Sequence, residues 1–273
     1  MNAFLMNQPS SERNVNYPPT DYINKPIIIY YFIDPFCETC WDIEPILKKI
    51  TMEYGAFCSI RPVVGHSSSQ TKIKQINDVF TSKGKYTILL AMKAAALQGN
   101  KTGRDYLRHI QDYLFLYNDN TDVDAIIHKA CNNTNIDTHE FERDLYSVSA
   151  KKAYESDQKL VEEMEVQHFP ALVFLSQHIE DYSMKVSGVH HYDTYTYILE
   201  KMLEEEVMNK CNPTLDDFFH LYKRFKTEDF AFVFEITVKE AKKHLAQLQL
   251  MQKIQKIQRQ HKHFWEVVEQ ARD

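Results

Sequence analysis

No run in these 273 residues approaches the roughly 18 consecutive apolar positions that a membrane-spanning helix needs. Met1 to Pro19 is polar and lacks the apolar centre of a signal peptide, so the expectation is a chain that is neither secreted nor membrane-inserted. Cysteine is scarce. The five present, Cys37, Cys40, Cys58, Cys131 and Cys211, are odd in number and widely spread, unlike the even, dense framework of a disulfide-stapled domain. A reducing, cytoplasmic compartment is expected. No second CxxC or HxxxH accompanies Cys37 and Cys40, which supply only half the ligand set zinc prefers. His190-His191 and His261-Lys262-His263 have no cysteine companion, so we expect no metal and no cofactor. Internal repeats are missing too, and the sole biased stretch is Gln247 to Gln260.

What is present suffices for a core. Hydrophobic residues make up 44% and charged residues 26%, with 16 Tyr and 16 Phe, which excludes global disorder. The length suggests one large domain with a smaller one attached. Charge divides the same way: 21 Lys and Arg against 29 Asp and Glu precede Cys211, and 11 against 9 follow from there. The net charge of −6 gives no support to nucleic-acid binding by the whole chain.

Along the chain, residues 1–25 carry Pro, Asn and Ser without periodicity and read as a flexible arm. Pro26 to Ile33 is a continuous β-branched and aromatic run, the mark of a strand buried on both faces. Asp34-Pro35 ends it, Cys37-Glu38-Thr39-Cys40 follows, and Trp41 to Tyr54 shows helical spacing at Ile43, Ile46, Leu47 and Ile50. A second strand fits Phe57 to Val64. Residues 71–150 read as a helical insert with segments near 86–97, 106–116, 123–130 and 139–145. A helix over Tyr154 to Val166, a buried strand at Ala171 to Leu175, a partner strand at Ser183 to Ser187 and a helix from Tyr192 to Val207 complete a body spanning 26–210. After Asn212-Pro213, residues 211–273 read as three short helices, 215–225, 228–234 and 238–248, then two strands around 251–257 and 263–268. Three helices and a hairpin suggest a winged helix, the alternative being one long helix from Val238 to Gln270.

A βα junction bearing CxxC, a helical insert and an X-Pro before a buried strand resemble the DsbA-like division of the thioredoxin superfamily, over about Ile27 to Leu203. The expected fold is therefore α/β and thioredoxin-like, DsbA-like, with a helical insert and a small C-terminal α+β domain. More specifically, Phe32-Ile33-Asp34-Pro35-Phe36-Cys37, the run Ala91 to Gly99, and the tail pattern Glu228 to Leu248 with Gln252-Lys253-Ile254 and Phe264-Trp265 are similar to the ClpXP adaptors that present Spx for degradation, the SpxH (YjbH) family. That resemblance implies a cytoplasmic protein that binds Spx and raises its delivery to ClpXP, by direct contact with ClpX or through Spx alone. It implies an adaptor and not an enzyme. Some family members carry a His- and Cys-rich N-terminus able to hold zinc, whereas residues 1–25 contain neither residue type, so no zinc is expected there.

The residues could still do thiol chemistry. Cys37 would stand at a helix start, where free N–H groups and the helix dipole favour a thiolate, with Cys40 one turn on to resolve a mixed disulfide. Against this, Glu38 places a negative charge beside the thiol and the motif holds no basic residue, so an electrostatically ordinary thiol is expected. By resemblance, Pro170 is a cis-proline and Phe169 presents backbone groups to a bound chain. Phe36, Trp41 and Phe169 are candidates for a protein-docking face, the plainer reading being that Trp41 packs its helix. Lys239, Lys242 and Lys243 could touch DNA phosphates from a recognition helix, but Glu235 and Glu240 flank them, and a protein-contact face is preferred. A dithiol oxidoreductase using Cys37 and Cys40 is the alternative function.

Overall fold

The computed structural model describes residues 25–65, 81–117, 122–177, 183–203, 210–259 and 262–268. All of the expected arm but Lys25, and residues 260–261, where a polar turn is expected, lie outside the described residues.

Strand β1 (Ile27–Ile33) lies inside a sheet of order β2-β1-β3-β4, which is why its sequence is apolar without alternation. β2 (Cys58–Val64) pairs parallel to it, β3 (Ala171–Ser176) antiparallel, and β4 (Ser183–Ser187) closes the far edge against β3. Between β1 and β2 the chain makes a five-residue helix, α1 (Glu38–Asp42), then α2 (Glu44–Tyr54). Pro45 stands at the start of α2. Having no N–H, it leaves a break in the backbone ladder between the two helices.

The insert consists of α3 (Ser82–Leu97), α4 (Asn100–Asp112) with a π-helical extension over Tyr113–Tyr117, α5 (Val123–Asn132) and α6 (Thr138–Asp144). α7 (Val148–Glu163) starts six residues ahead of the expected Tyr154, because Ser147 caps it by accepting from the Ala150 N–H. α8 (Tyr192–Leu203) returns to the sheet.

The C-terminal segment folds as α9 (Leu215–Leu221), a two-residue strand β5 (Arg224–Phe225), α10 (Thr227–Val233), α11 (Val238–Leu250) and the strands β6 (Ile254–Arg259) and β7 (Lys262–Val267). The order in this second sheet is β5-β7-β6. Phe218 centres its core, with ring centroids of Tyr222, Phe225, Phe230 and Phe234 between 4.3 and 5.5 Å away. The single long helix from Val238 is excluded. At Gln252 the backbone turns left-handed, φ 57°, and the amides of Gln252 and Lys253 bond back to the carbonyls of Gln249 and Leu248, closing α11 as a Schellman cap.

Glycine usually fills that cap position, and this chain has only six glycines. Glu165 (φ 49°) ends α7 and Glu235 (φ 53°) ends α10 with the same pair of bonds. Glu235 earns its place by a side-chain contact: its carboxylate lies 2.7 Å from the buried Lys49 ammonium of α2. The exposed Gln252 side chain makes no hydrogen bond or ion pair among the described residues. Gln252→Gly is therefore expected to stabilise the protein by about 1 kcal/mol, since a left-handed non-glycine residue costs about that much, measured as a rise in the urea midpoint. Glu235→Gly should gain no such stability, because it also removes the partner of Lys49.

Candidate functional site

The thiol site is assembled where β1 ends. The Asp34 carboxylate accepts from the Phe36 amide (2.9 Å) and its carbonyl from the Cys37 amide (3.1 Å), a tight turn that sets Cys37 as the N-cap of α1. Opposite it stands the Phe169–Pro170 peptide, which is cis, with the Phe169 carbonyl 3.8 Å from Cys37 Sγ. Gly65 makes room for the Phe169 ring. A Cβ there would fall 2.5 Å from the Phe169 ring, so only glycine lets that ring lie against the end of β2.

Cys37 is half-buried and Cys40 fully buried. A hydrogen bond from the Cys40 thiol, then one with the Thr39 hydroxyl (2.8 Å) and one from the Cys40 amide, hold Cys37 down to about 6, against opposition from burial and the Asp34 charge. Burial pushes Cys40 well above the ordinary thiol range. The electrostatically ordinary thiol expected from the motif is thus corrected. Three local donors favour the thiolate without any basic residue, and the sequence clue was Thr39. Cys58 and Cys131 are pushed up to about 12 and about 11 by burial, which leaves them inert beside Cys37.

The docking candidates Phe36 and Trp41 are both buried. Phe36 is 1% exposed and Trp41 3%, so neither offers free surface. Trp41 is covered by the C-terminal unit. Its indole packs with Phe264 of β7 and with Phe115, between the Arg108 guanidinium (5.0 Å) and the Lys226 ammonium (4.7 Å). Phe169 is partly buried on the β2 end. Lys239, Lys242 and Lys243 are exposed on α11. Among the described residues no group of three or more His, Cys, Asp or Glu could hold a metal ion, and no helix is long and apolar enough to cross a membrane. His261 lies outside the described residues.

The thioredoxin family pattern matches residues 30–197, from within β1 to within α8 and including the insert. Among curated proteins, the ClpXP adapter protein SpxH of Bacillus cereus is 32% identical over 96% of this chain and 97% of its own length. SpxH of Bacillus subtilis is 31% identical over 88% of this chain and 89% of its own. The chain belongs to the SpxH family of ClpXP adapter proteins. Among solved structures, the Nitrosomonas europaea chain described as a protein disulfide isomerase aligns with a TM-score of 0.54 at 20% identity, covering 67% of this chain and 99% of that one. BcfH of Salmonella enterica Typhimurium aligns with a TM-score of 0.50 at 13% identity, over 65% of this chain and 70% of its own. These two show the thioredoxin-like fold of the body. The SpxH relatives extend the likeness through the C-terminal unit.

Alkylation of Cys37 by iodoacetamide should follow its thiolate, rising with pH around a midpoint of about 6 and levelling above it. Thr39→Val removes one donor and should move the midpoint upward, read by mass spectrometry of the Cys37 peptide. A midpoint left in the ordinary thiol range in the parent protein would contradict the hydrogen-bond account.

Proposed function

We propose that this chain is a cytoplasmic adaptor that binds Spx and raises its degradation by ClpXP, acting by binding and not by catalysis. The observation that carries this reading is the match to SpxH proteins over nearly the full length of both chains, C-terminal unit included. A merely thioredoxin-like activity would require only the body, which the thioredoxin pattern already accounts for. On this reading residues 26–210 form the thioredoxin-like domain and 211–273 a winged-helix domain, whose helix-strand-helix-helix-hairpin order fits that form. The exposed lysines of α11 are assigned to protein contact and not to DNA. Phe169 and Pro170 are retained as a candidate protein-contact site because the carbonyl before the cis-proline faces half-buried Cys37.

One observation favours a second reading, a dithiol oxidoreductase: a thiol held near 6 beside a buried partner thiol and a cis-proline. A single experiment separates the two. Spx, ClpX and ClpP are incubated with ATP and the purified chain, in parent form and as Cys37→Ser with Cys40→Ser. The adaptor reading expects both forms to accelerate Spx loss to a similar extent. No acceleration by the folded parent would remove that reading, and acceleration lost only in the double variant would install the thiol one.

A further inference from the structure

The most connected feature outside the proposed adaptor role is the physical link between the CxxC pair and the docking of the C-terminal unit. Trp41 follows Cys40 directly on α1, the short helix that Cys37 caps, and not on the firmly packed α2. Its surroundings come from two parts of the chain: Arg108 and Phe115 from the insert, Lys226 and Phe264 from the C-terminal unit. Beside the indole the same parts meet again, where Asp112 of α4 receives Arg224 of β5 at 3.5 Å, and Arg224 also holds Glu266 of β7 at 3.1 Å. A cavity of about 90 Å³ lies at this junction, lined by Trp41, Arg108, Arg224, Lys226 and Asp229 among others.

We infer that the Cys37–Cys40 pair is a redox element whose oxidation loosens the C-terminal unit from the body by moving Trp41. The oxidant is a low-molecular-weight disulfide. The Cys37 thiolate attacks it, forming a mixed disulfide and expelling one small thiolate. The Cys40 thiol then gives up its proton, its sulfur attacks Cys37 Sγ, and the second small thiolate leaves. With the two released thiolates protonated, two protein thiols have become one disulfide and one small disulfide has become two thiols. Forming that bond replaces the thiol hydrogen bond with a covalent one and draws Cys40 toward Cys37. α1 can answer as a unit, because the break at Pro45 uncouples its backbone ladder from α2. The Cys40 carbonyl is anchored by the buried Tyr31 hydroxyl at 2.6 Å, so α1 answers by turning about that anchor, and the adjacent Trp41 turns with it. The inference holds whatever partner the chain binds.

Hydrogen–deuterium exchange on the full chain tests it, with the protein reduced or treated with oxidised glutathione and the disulfide verified by peptide mass. Oxidation should speed exchange in 224–233 and 262–267 roughly two- to fivefold, the change expected from losing one cation–π contact, and leave β1 and β3 unchanged. Cys37→Ser with Cys40→Ser should abolish the response. Lys226→Met, which removes the cation over the indole while keeping its aliphatic stem, should give faster exchange in the same peptides already in the reduced protein. Equal exchange in reduced and oxidised protein overturns the inference, as does failure of the Cys37–Cys40 bond to form. A response that persists in the double serine variant overturns it as well.

Discussion

Helix α2 is asked to be buried on opposite sides, and the rest of the molecule follows from that demand. Ile46, Leu47, Ile50 and Tyr54 face the sheet core, while Met52 belongs to the aromatic core of the C-terminal unit. Between these faces sits Lys49, 2% exposed. Its ammonium meets Glu235 at 2.7 Å, Glu53 at 3.6 Å and the Phe232 carbonyl at 3.3 Å, and lies 4.6 Å from the centre of the Tyr192 ring. A charge withdrawn this far from water is tolerated only when its donors are met by partners. Those partners come from α2 itself, from α8 and from the end of α10. The arrangement therefore fixes one orientation of the C-terminal unit on the body in a way apolar contact alone would not.

The same demand explains features that look unfavourable one at a time. Glu235 adopts a left-handed backbone because that conformation both caps α10 and carries its carboxylate to Lys49, which in turn holds that carboxyl below the usual range. Glu53 is 5% exposed, yet it accepts from the Tyr192 hydroxyl at 3.0 Å, and its carbonyl accepts from the Cys211 amide at 3.0 Å where the chain leaves the body. On the same turn of α2, Lys48 covers the Tyr222 ring at 4.1 Å. Consecutive lysines of one helix thus engage different elements of the C-terminal unit, a pattern that in sequence reads as an ordinary solvated face.

The body was legible because its signals are local and periodic. A strand buried on both faces announces itself as Ile27 to Ile33, and CxxC placed directly after it identifies the βα junction. The hairpin was legible from Ile254, Ile257, Phe264 and Trp265, and the end of α11 was read to within two residues, although its left-handed cap was not, since the residue there is a glutamine. β5 escaped notice because two residues carry no period. Thr39 was read only as part of a CxxC spacing, and its hydroxyl proves to be one of the groups that set the neighbouring sulfur. The environment of Trp41 was illegible for a different reason: its neighbours lie 67 to 223 residues further along the chain, at Arg108, Phe115, Lys226 and Phe264, and no local pattern joins them.

These facts bear on why a fold suited to thiol exchange would serve for binding. An exchange enzyme acting on proteins needs open surface around its nucleophile so that a substrate chain can reach the sulfur and leave again. Here Trp41, the residue immediately beyond the motif, is sealed by β7 and Lys226, and the Phe169 ring lies down on Gly65 on the other side. Half-buried Cys37 lies against the carbonyl that precedes the cis-proline, 3.8 Å away. The reactive thiol survives in this setting because its depressed pKa arises from Thr39 and Cys40, which belong to the motif itself, and so requires nothing from the surface that the C-terminal unit has covered.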